Sequence, residues 1–414
     1  MSFTQKWTES SLILKIIIGM IAGVVLGIVV PQWSFIGFFG KVFVEALKSI
    51  APLLVFILVA SAISQAKTGV GSKFKIIIAI FLLMNFIAAV VATISCFIFP
   101  VSIHLSAAST AVSPGGLADI LGEMLLKIFS NPIKSLSEGE YLGILFWSII
   151  IGIALRMVGS DTTKDLLNDI AEVFSKIVYF IIQFAPIGVM GLVFTSVCES
   201  GLSIFSQYGE LILLIVGCIL IMAFIINPLI SALLLKRNPF PLVFTCLKES
   251  GVTAFFSRSS AANIPINMQL CEKLGLDRDF YSVTIPLGST INTNGAAVTI
   301  AVMTLVACHT MGIPVHFSWA ILLCVVTTLA ACCASGVVGG SLLLIPLTCS
   351  LFGISQDISM QVVAVGFIIS VIQDSFETAL NSASDVLFTA ATEYYMRAKN
   401  DEPVNYLGEF SKGD

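Results

Sequence analysis

Apolar runs of about 18 residues or more recur along nearly the whole chain, and each is long enough to cross a bilayer as a helix. This narrows the possible folds severely. A backbone in hydrocarbon has no water to satisfy its N–H and C=O groups, so it must form helices or a closed barrel. Composition agrees: 57% of residues are hydrophobic and 11% charged, where soluble domains have roughly 45–50% and 25%. The first run, LILKIIIGMIAGVVLGIVV, is too long for a signal-peptide core and no small-residue cleavage site follows it. It reads as a permanent span, and the chain as an all-α polytopic membrane protein.

Eight spans are expected, near 12–33, 41–66, 75–100, 141–156, 170–198, 207–235, 279–308 and 358–392. Threading them alternately puts Lys67, Lys73, Lys75, Arg156, Lys164, Lys236, Arg237, Lys273, Arg278, Arg397 and Lys399 on one side, against few such as Lys127 and Lys134 on the other. The richer side is expected to be cytoplasmic, with both termini in it. The ten cysteines show no metal-ligand spacing and mostly sit in apolar runs, which predicts buried free thiols. No nucleic-acid partner is expected.

Residues 239–273 and 317–351 break the pattern. The first has a polar middle, SRSSAAN, between two helix-length pieces; the second breaks at ASGVVGGS, 334–341. Neither piece of the first spans about 30 Å alone, and irregular backbone at membrane depth needs protein or a watery cavity around it. Both segments read as re-entrant helical hairpins. Ser259, Ser260 and Asn263 are expected to cap the second half-helix of the first hairpin. Gly336, Gly339 and Gly340 would allow left-handed backbone or close approach at the second. Glycines that merely permit tight helix packing are the competing reading. Each hairpin precedes a polar-interrupted helix, and the two units enter from opposite sides. Inverted repeats with discontinuous helices mark secondary transporters. In the first unit, Asn292, Thr293, Asn294 and Gly295 are expected to be unwound and to offer carbonyls to a cation.

The last span carries SVIQDSFETALNSASD. Asp374, Glu377 and Thr378, Asn381 and Asp385 fall at i, i+3/i+4, i+7 and i+11, one face of one helix. Intramembrane carboxylates are costly and mark function. Asp374 and Asp385 would lie about 16 Å apart along the axis, too far to share a proton as an aspartic-protease dyad does. No histidine or Gly-x-Ser-x-Gly elbow accompanies them, so a membrane enzyme is the weaker reading. A selective pore suits the repeated hairpins less well than an occluded site.

With FFSRSSAANIPIN, IPLGSTINTNGAA, ASGVVGGSLLLIP and QDSFETALNSASDVLFTAA in view, the chain closely resembles the dicarboxylate/amino acid:cation symporter family, which includes the glutamate transporters, over essentially its whole length. The resemblance implies a homotrimer in a bacterial inner membrane, with elevator-type motion of a transport domain against a scaffold. Residues 1–235 would be six spans, of which three and six join the transport domain. Residues 236–396 would be the transport core and 397–414 a cytoplasmic tail. By resemblance, the substrate α-carboxylate would lie between the hairpin tips, at Ser260 and Val337 to Gly339, with help from Asn381. Its ammonium would meet Asp374, and Thr378 would touch it. Ser259 and Glu377 complete the expected substrate set. One Na+ would take the Asp385 carboxylate with carbonyls of Gly288, Asn292 and Asn381. A second would take carbonyls of Thr290, Ala331, Cys332 and Ala334.

Departures from the family pattern matter. Glu377 stands where glutamate-transporting members have the arginine that holds a side-chain carboxylate, and Asn294 where they have an aspartate ligand of a third sodium. Phe81, Met84 and Asn85 replace the matching Tyr, Thr and Ser by ungapped alignment, and Thr293 replaces a Met. The expected function is sodium-coupled import of small neutral amino acids, serine and threonine first, with one or two Na+ each. Cation-coupled import of acidic amino acids or C4-dicarboxylates is the alternative.

Overall fold

A computed structural model describes residues 12–65, 72–105, 126, 129–201, 204–334 and 339–412. No strand occurs among them. The N-terminal part comprises α1 (Leu12–Val29), α2 (Phe35–Gln65), α3 (Ser72–Ile98), the short α4 (Pro132–Glu138), α5 (Tyr141–Val158), α6 (Asp161–Gln183) and α7 (Ala185–Ser200). Next comes α8, made of Ile204–Ile221, a π turn Met222–Ile226 and Asn227–Leu235. The π turn has a local cause. Pro228 has no N–H to give the ladder, and the Asn227 N–H reaches back five residues to the Met222 carbonyl.

Among the described residues, α2, α3, α8, α15 (Gln356–Lys399) and the pair formed by α11 (Arg278–Ile291) and α12 (Asn294–Thr310) are long and apolar enough to cross a membrane. The run 170–198, expected as one span, is instead two helices: α6 ends at Gln183, α7 starts at Ala185, and the two are bent by 55°. Pro186 explains the break, since it sits comfortably in a first helical turn but not mid-ladder. Large apolar side chains face outward, as the lipid-facing side of a membrane protein requires. On α1, Ile18, Ile21, Val25 and Ile28 form one exposed stripe.

The opposite face of α1 is glycine. A Cβ on Gly19 would lie 2.1 Å from the Pro186 carbonyl oxygen, and one on Gly23 2.5 Å from that of Met190. α1 thus packs on α7 backbone to backbone, the close approach that small residues four apart permit.

The first polar segment forms a helical hairpin. Its arms are α9 (Phe240–Cys246, a π turn Leu247–Gly251, then Val252–Ser257) and α10 (Ser260–Lys273), joined by Arg258 in left-handed conformation (φ 52°) and Ser259. Ser250 of the first arm bonds Asn263 and Asn267 of the second, so the arms run side by side in opposite directions. The second polar segment gives α13 (Phe317–Ala331) and α14 (Leu342–Ser350), which pack on one another. Its tip, with Gly336 and Val337, lies outside the described residues, as do Lys67, Lys127 and most of the 101–140 loop.

The interior belongs to α12, buried throughout Asn294–Cys308, and to α15, 44 residues without a break. The last turns of α15 build a base: Tyr394 donates to the Leu274 carbonyl at 2.7 Å, and Glu393 accepts the Asp277 N–H and pairs with Arg397. The tail folds back onto this base. The Tyr406 hydroxyl donates to the Asn238 carbonyl, and Arg237 stacks 4.7 Å over its ring.

Replacing Gly23 by Leu should lower the melting temperature of the detergent-solubilised protein, with a cost of roughly 1–3 kcal/mol from overpacking. Gly209→Leu, where an added Cβ meets nothing within 4 Å, is the control expected to be silent. Equal melting of both variants would refute the α1–α7 contact.

Candidate functional site

The unbroken α15 places Asp374, Glu377, Thr378, Asn381 and Asp385 in the protein interior, all at most 5% exposed. Buried carboxylates need partners, and each finds a different kind. Glu377 is braced by neutral donors: the hydroxyls of Thr299 (2.7 Å) and Ser341 (3.0 Å) and the Gln373 amide (2.5 Å) all point to its Oε2. Asp374 takes the Nε–H of Arg258 at 2.7 Å, in an ion pair whose members are almost fully buried, and the N–H of Gly339 also faces it. Gly339 has φ 72°, and a Cβ there would strike the Phe367 ring, so this close approach belongs to glycine.

Hairpin one is fastened to α15. Asn263 donates to Ser382 Oγ at 2.7 Å, Asn267 donates to the same oxygen at 2.9 Å, and Ser250 bonds both Asn267 and Ser382. Asn263 is therefore no helix cap, contrary to expectation; the network spends its amide. Ser259 alone caps α10, accepting the Ala262 N–H. Arg258 and Ser260 of the hairpin tip, with Asp374, Glu377, Thr378 and Asn381 of α15, line a cavity that Thr293 and Ala334 also border. Its room is about 20 Å³, enough for one water and far too small for an amino acid. A larger concavity of about 630 Å³ beside Gln269, Glu272 and Tyr281 is open and contains none of these groups.

The break between α11 and α12 is shorter than expected. Only Asn292 and Thr293 leave helical geometry, while Asn294 and Gly295 begin α12. The side chains nonetheless converge. Asn292 donates to Asp385 Oδ1 at 2.9 Å and to Ser384 Oγ at 2.9 Å, and Asn294 donates to Ser384 Oγ at 3.2 Å. Gly288 lets Asp385 in, since a Cβ there would lie 2.7 Å from Oδ1. Three oxygens, Asp385 Oδ2, Asn292 Oδ1 and Asn294 Oδ1, are buried without a hydrogen-bond partner among the described residues. An all-oxygen set with one negative charge in a dry surround suits a hard cation. The carbonyls of Gly288 and Asn381 stand close by but already accept, from the Asn292 N–H and the Ser384 hydroxyl.

The other cation set is assembled in part. Thr293 Oγ1 donates to the Ala331 carbonyl at 2.6 Å, and the Ala334 N–H reaches the same oxygen, so both lone pairs of Ala331 are engaged. Asn85 ties the break to this corner, donating to the Ile291 carbonyl and to Cys332 Sγ. Thr290 is exposed at the end of α11, its hydroxyl bonded within the helix. Val337 lies outside the described residues. Gln373, Thr299, Ser341, Ser382 and Ser384 escaped the sequence reading. Gln373 sits four residues before Glu377, and Ser250 and Asn267 stand eight residues either side of the hairpin turn. Those spacings were the available signals.

A multi-helix membrane protein whose interior holds an ion pair, a braced carboxylate and an all-oxygen pocket is built to take small polar solutes out of water, as carriers do. Residues 12–394 match the sodium:dicarboxylate symporter family, and the chain belongs to it. It is a transporter, not an enzyme. It is similar to proteins named serine/threonine transporter SstT. That of Streptococcus thermophilus is 54% identical over 94% of this chain and 98% of its own length. That of Bifidobacterium adolescentis is 52% identical over 94% of this chain and 91% of its own.

Asp374→Asn leaves a buried guanidinium without its counter-ion and should cost about 3–5 kcal/mol. Much of that loss should return in the Arg258→Gln/Asp374→Asn double variant. Thermal melting of the four proteins without substrate gives the coupling; additive losses would show that the pair is not a unit.

Proposed function

We propose that this protein imports small neutral amino acids, serine and threonine first, together with Na+. The relatives' names support the substrate class and the family name supports the coupling ion. The observation that carries the reading is Arg258 beside Asp374 at one occluded cavity, a cation and an anion adjacent, as the two ends of a zwitterion require. The α-carboxylate lies between the hairpin tips near Ser260 and Gly339 with help from Asn381. The ammonium pairs with Asp374, and Thr378 contacts the substrate. Because the cavity has room for only one water, loading requires its walls to move apart and close again around the solute.

Sodium is cargo here, driving transport by its gradient. Asp385 with the amide oxygens of Asn292 and Asn294 is the better supported ion site. The second set is completed only if Thr293 releases Ala331. The eight-span reading takes α2, α3, α8, α11–α12 and α15, the bent α6–α7 pair, and the shorter α1 and α5, with the two hairpins re-entrant. The base that gathers Arg237, Lys273, Arg278 and Arg397 near the tail supports a cytoplasmic C-terminus. The homotrimer, the bacterial inner membrane and elevator motion between residues 1–235 and 236–396 belong to the same proposal.

Two measurements test it. Asp385→Asn keeps the shape of the site and removes its charge, so at fixed serine the sodium needed for half-maximal uptake into proteoliposomes should rise at least tenfold. An unchanged sodium dependence would remove Asp385 from the ion site. In competition with radiolabelled serine, unlabelled aspartate should be at least about a hundredfold weaker than threonine, since a second carboxylate beside Glu377 meets like charge. Aspartate that competes equally and is itself carried would favour the acidic-substrate reading.

A further inference from the structure

Arg258 is only 2% exposed, and it has a single ionic partner, Asp374, through Nε. Its two terminal nitrogens, Nη1 and Nη2, are buried with no hydrogen-bond partner among the described residues, although the side chain lines the cavity. A guanidinium with its fork unused is costly to keep inside a protein. That fork is also the group that grips a carboxylate through two parallel hydrogen bonds. The backbone directs it. Arg258 closes the first hairpin arm in left-handed conformation (φ 52°), α10 begins two residues later at Ser260, and Arg258 and Ser260 line the same cavity.

We propose that Arg258 is the receptor for the substrate's α-carboxylate, held ready by Asp374 until a zwitterion joins the pair. This rests on the amino-acid transport reading above and adds a group to its substrate site. In an α-amino acid a single carbon separates ammonium from carboxylate, so both charges must land on counter-charges that are themselves neighbours. Arg258 and Asp374 are such neighbours. Before binding they neutralise one another; after binding carboxylate, guanidinium, aspartate and ammonium close a ring of charges that alternates in sign and still sums to zero. A neutral zwitterion therefore enters without leaving a net charge in the buried site. An acidic amino acid adds one negative charge, and an amine without a carboxylate adds one positive charge and leaves the fork unfilled.

The test compares L-serine with L-serinamide, which keeps ammonium and hydroxyl but carries a neutral amide in place of the carboxylate. Binding is titrated calorimetrically to the purified full chain in sodium buffer. The wild type should prefer serine by about a hundredfold. Arg258→Gln should lose that preference to within about threefold, by weakening serine and sparing serinamide. If Arg258→Gln does not fold, Arg258→Lys, which keeps the charge but not the fork, should reduce the preference at least tenfold. A variant that weakens both ligands equally, leaving the preference intact, overturns the assignment and makes Arg258 a structural partner of Asp374. A folded wild type that binds neither ligand nor threonine overturns the transport reading together with the proposal.

Discussion

The structure depends on one requirement, that no charge on α15 be left without partners in a surround that offers no water. Asp374, Glu377, Asp385 and Glu393 all lie inside the protein, and the architecture is largely the set of answers to them. Hairpin one contributes Arg258, the residues leading into α14 contribute Gly339 and Ser341, α12 contributes Thr299, and the break before it contributes Asn292. The irregular backbone and the polar face explain one another. Straight spans have no tips to bring into the interior, and tips reaching the interior need something polar to meet.

The answers differ in completeness, and the difference sorts structure from function. Glu377 receives three donors and Glu393 receives backbone N–H and an arginine; these are settled interactions. Among the described residues, Asp385 keeps one oxygen without a partner, and Arg258 keeps two nitrogens. Unsatisfied buried polar atoms are rare and call for an explanation. Those on Arg258, Asn292, Asn294 and Asp385 stand where a carboxylate and a cation would each restore a full complement of contacts.

Much of this was legible in the sequence because lipid enforces regularity. Run length gave the long apolar helices, and the polar interruption SRSSAAN gave the first helical hairpin, since irregular backbone at membrane depth needs protein around it. The periodicity of Asp374, Glu377, Thr378, Asn381 and Asp385 gave the face, because α15 is unbroken. What escaped was set by contacts between distant segments. Nothing local says that Ser382 anchors Asn263 and Asn267, or that Thr299 turns toward Glu377, and the Asn263 amide was accordingly misread as a cap. The division of 170–198 at Pro186 was locally readable, but the continuous apolar run outweighed the proline. The break at Asn292 and Thr293 was read two residues too long because asparagine and glycine suggest unwinding until a neighbouring helix supplies hydrogen bonds: Asn381 takes the Gly295 N–H.

The length of α15 has a mechanical meaning. Forty-four residues extend about 66 Å, roughly twice the hydrocarbon thickness, in one rod. Asp374 sits on the same shaft as Glu393 and Tyr394, nineteen and twenty residues further on, where the shaft is tied to hairpin one's base and the folded-back tail touches Asn238. Any rotation or slide of the rod would thus be carried to the end that holds the tail. The tail makes that end a natural gauge, where a spectroscopic label could follow events deep in the protein without disturbing the site itself.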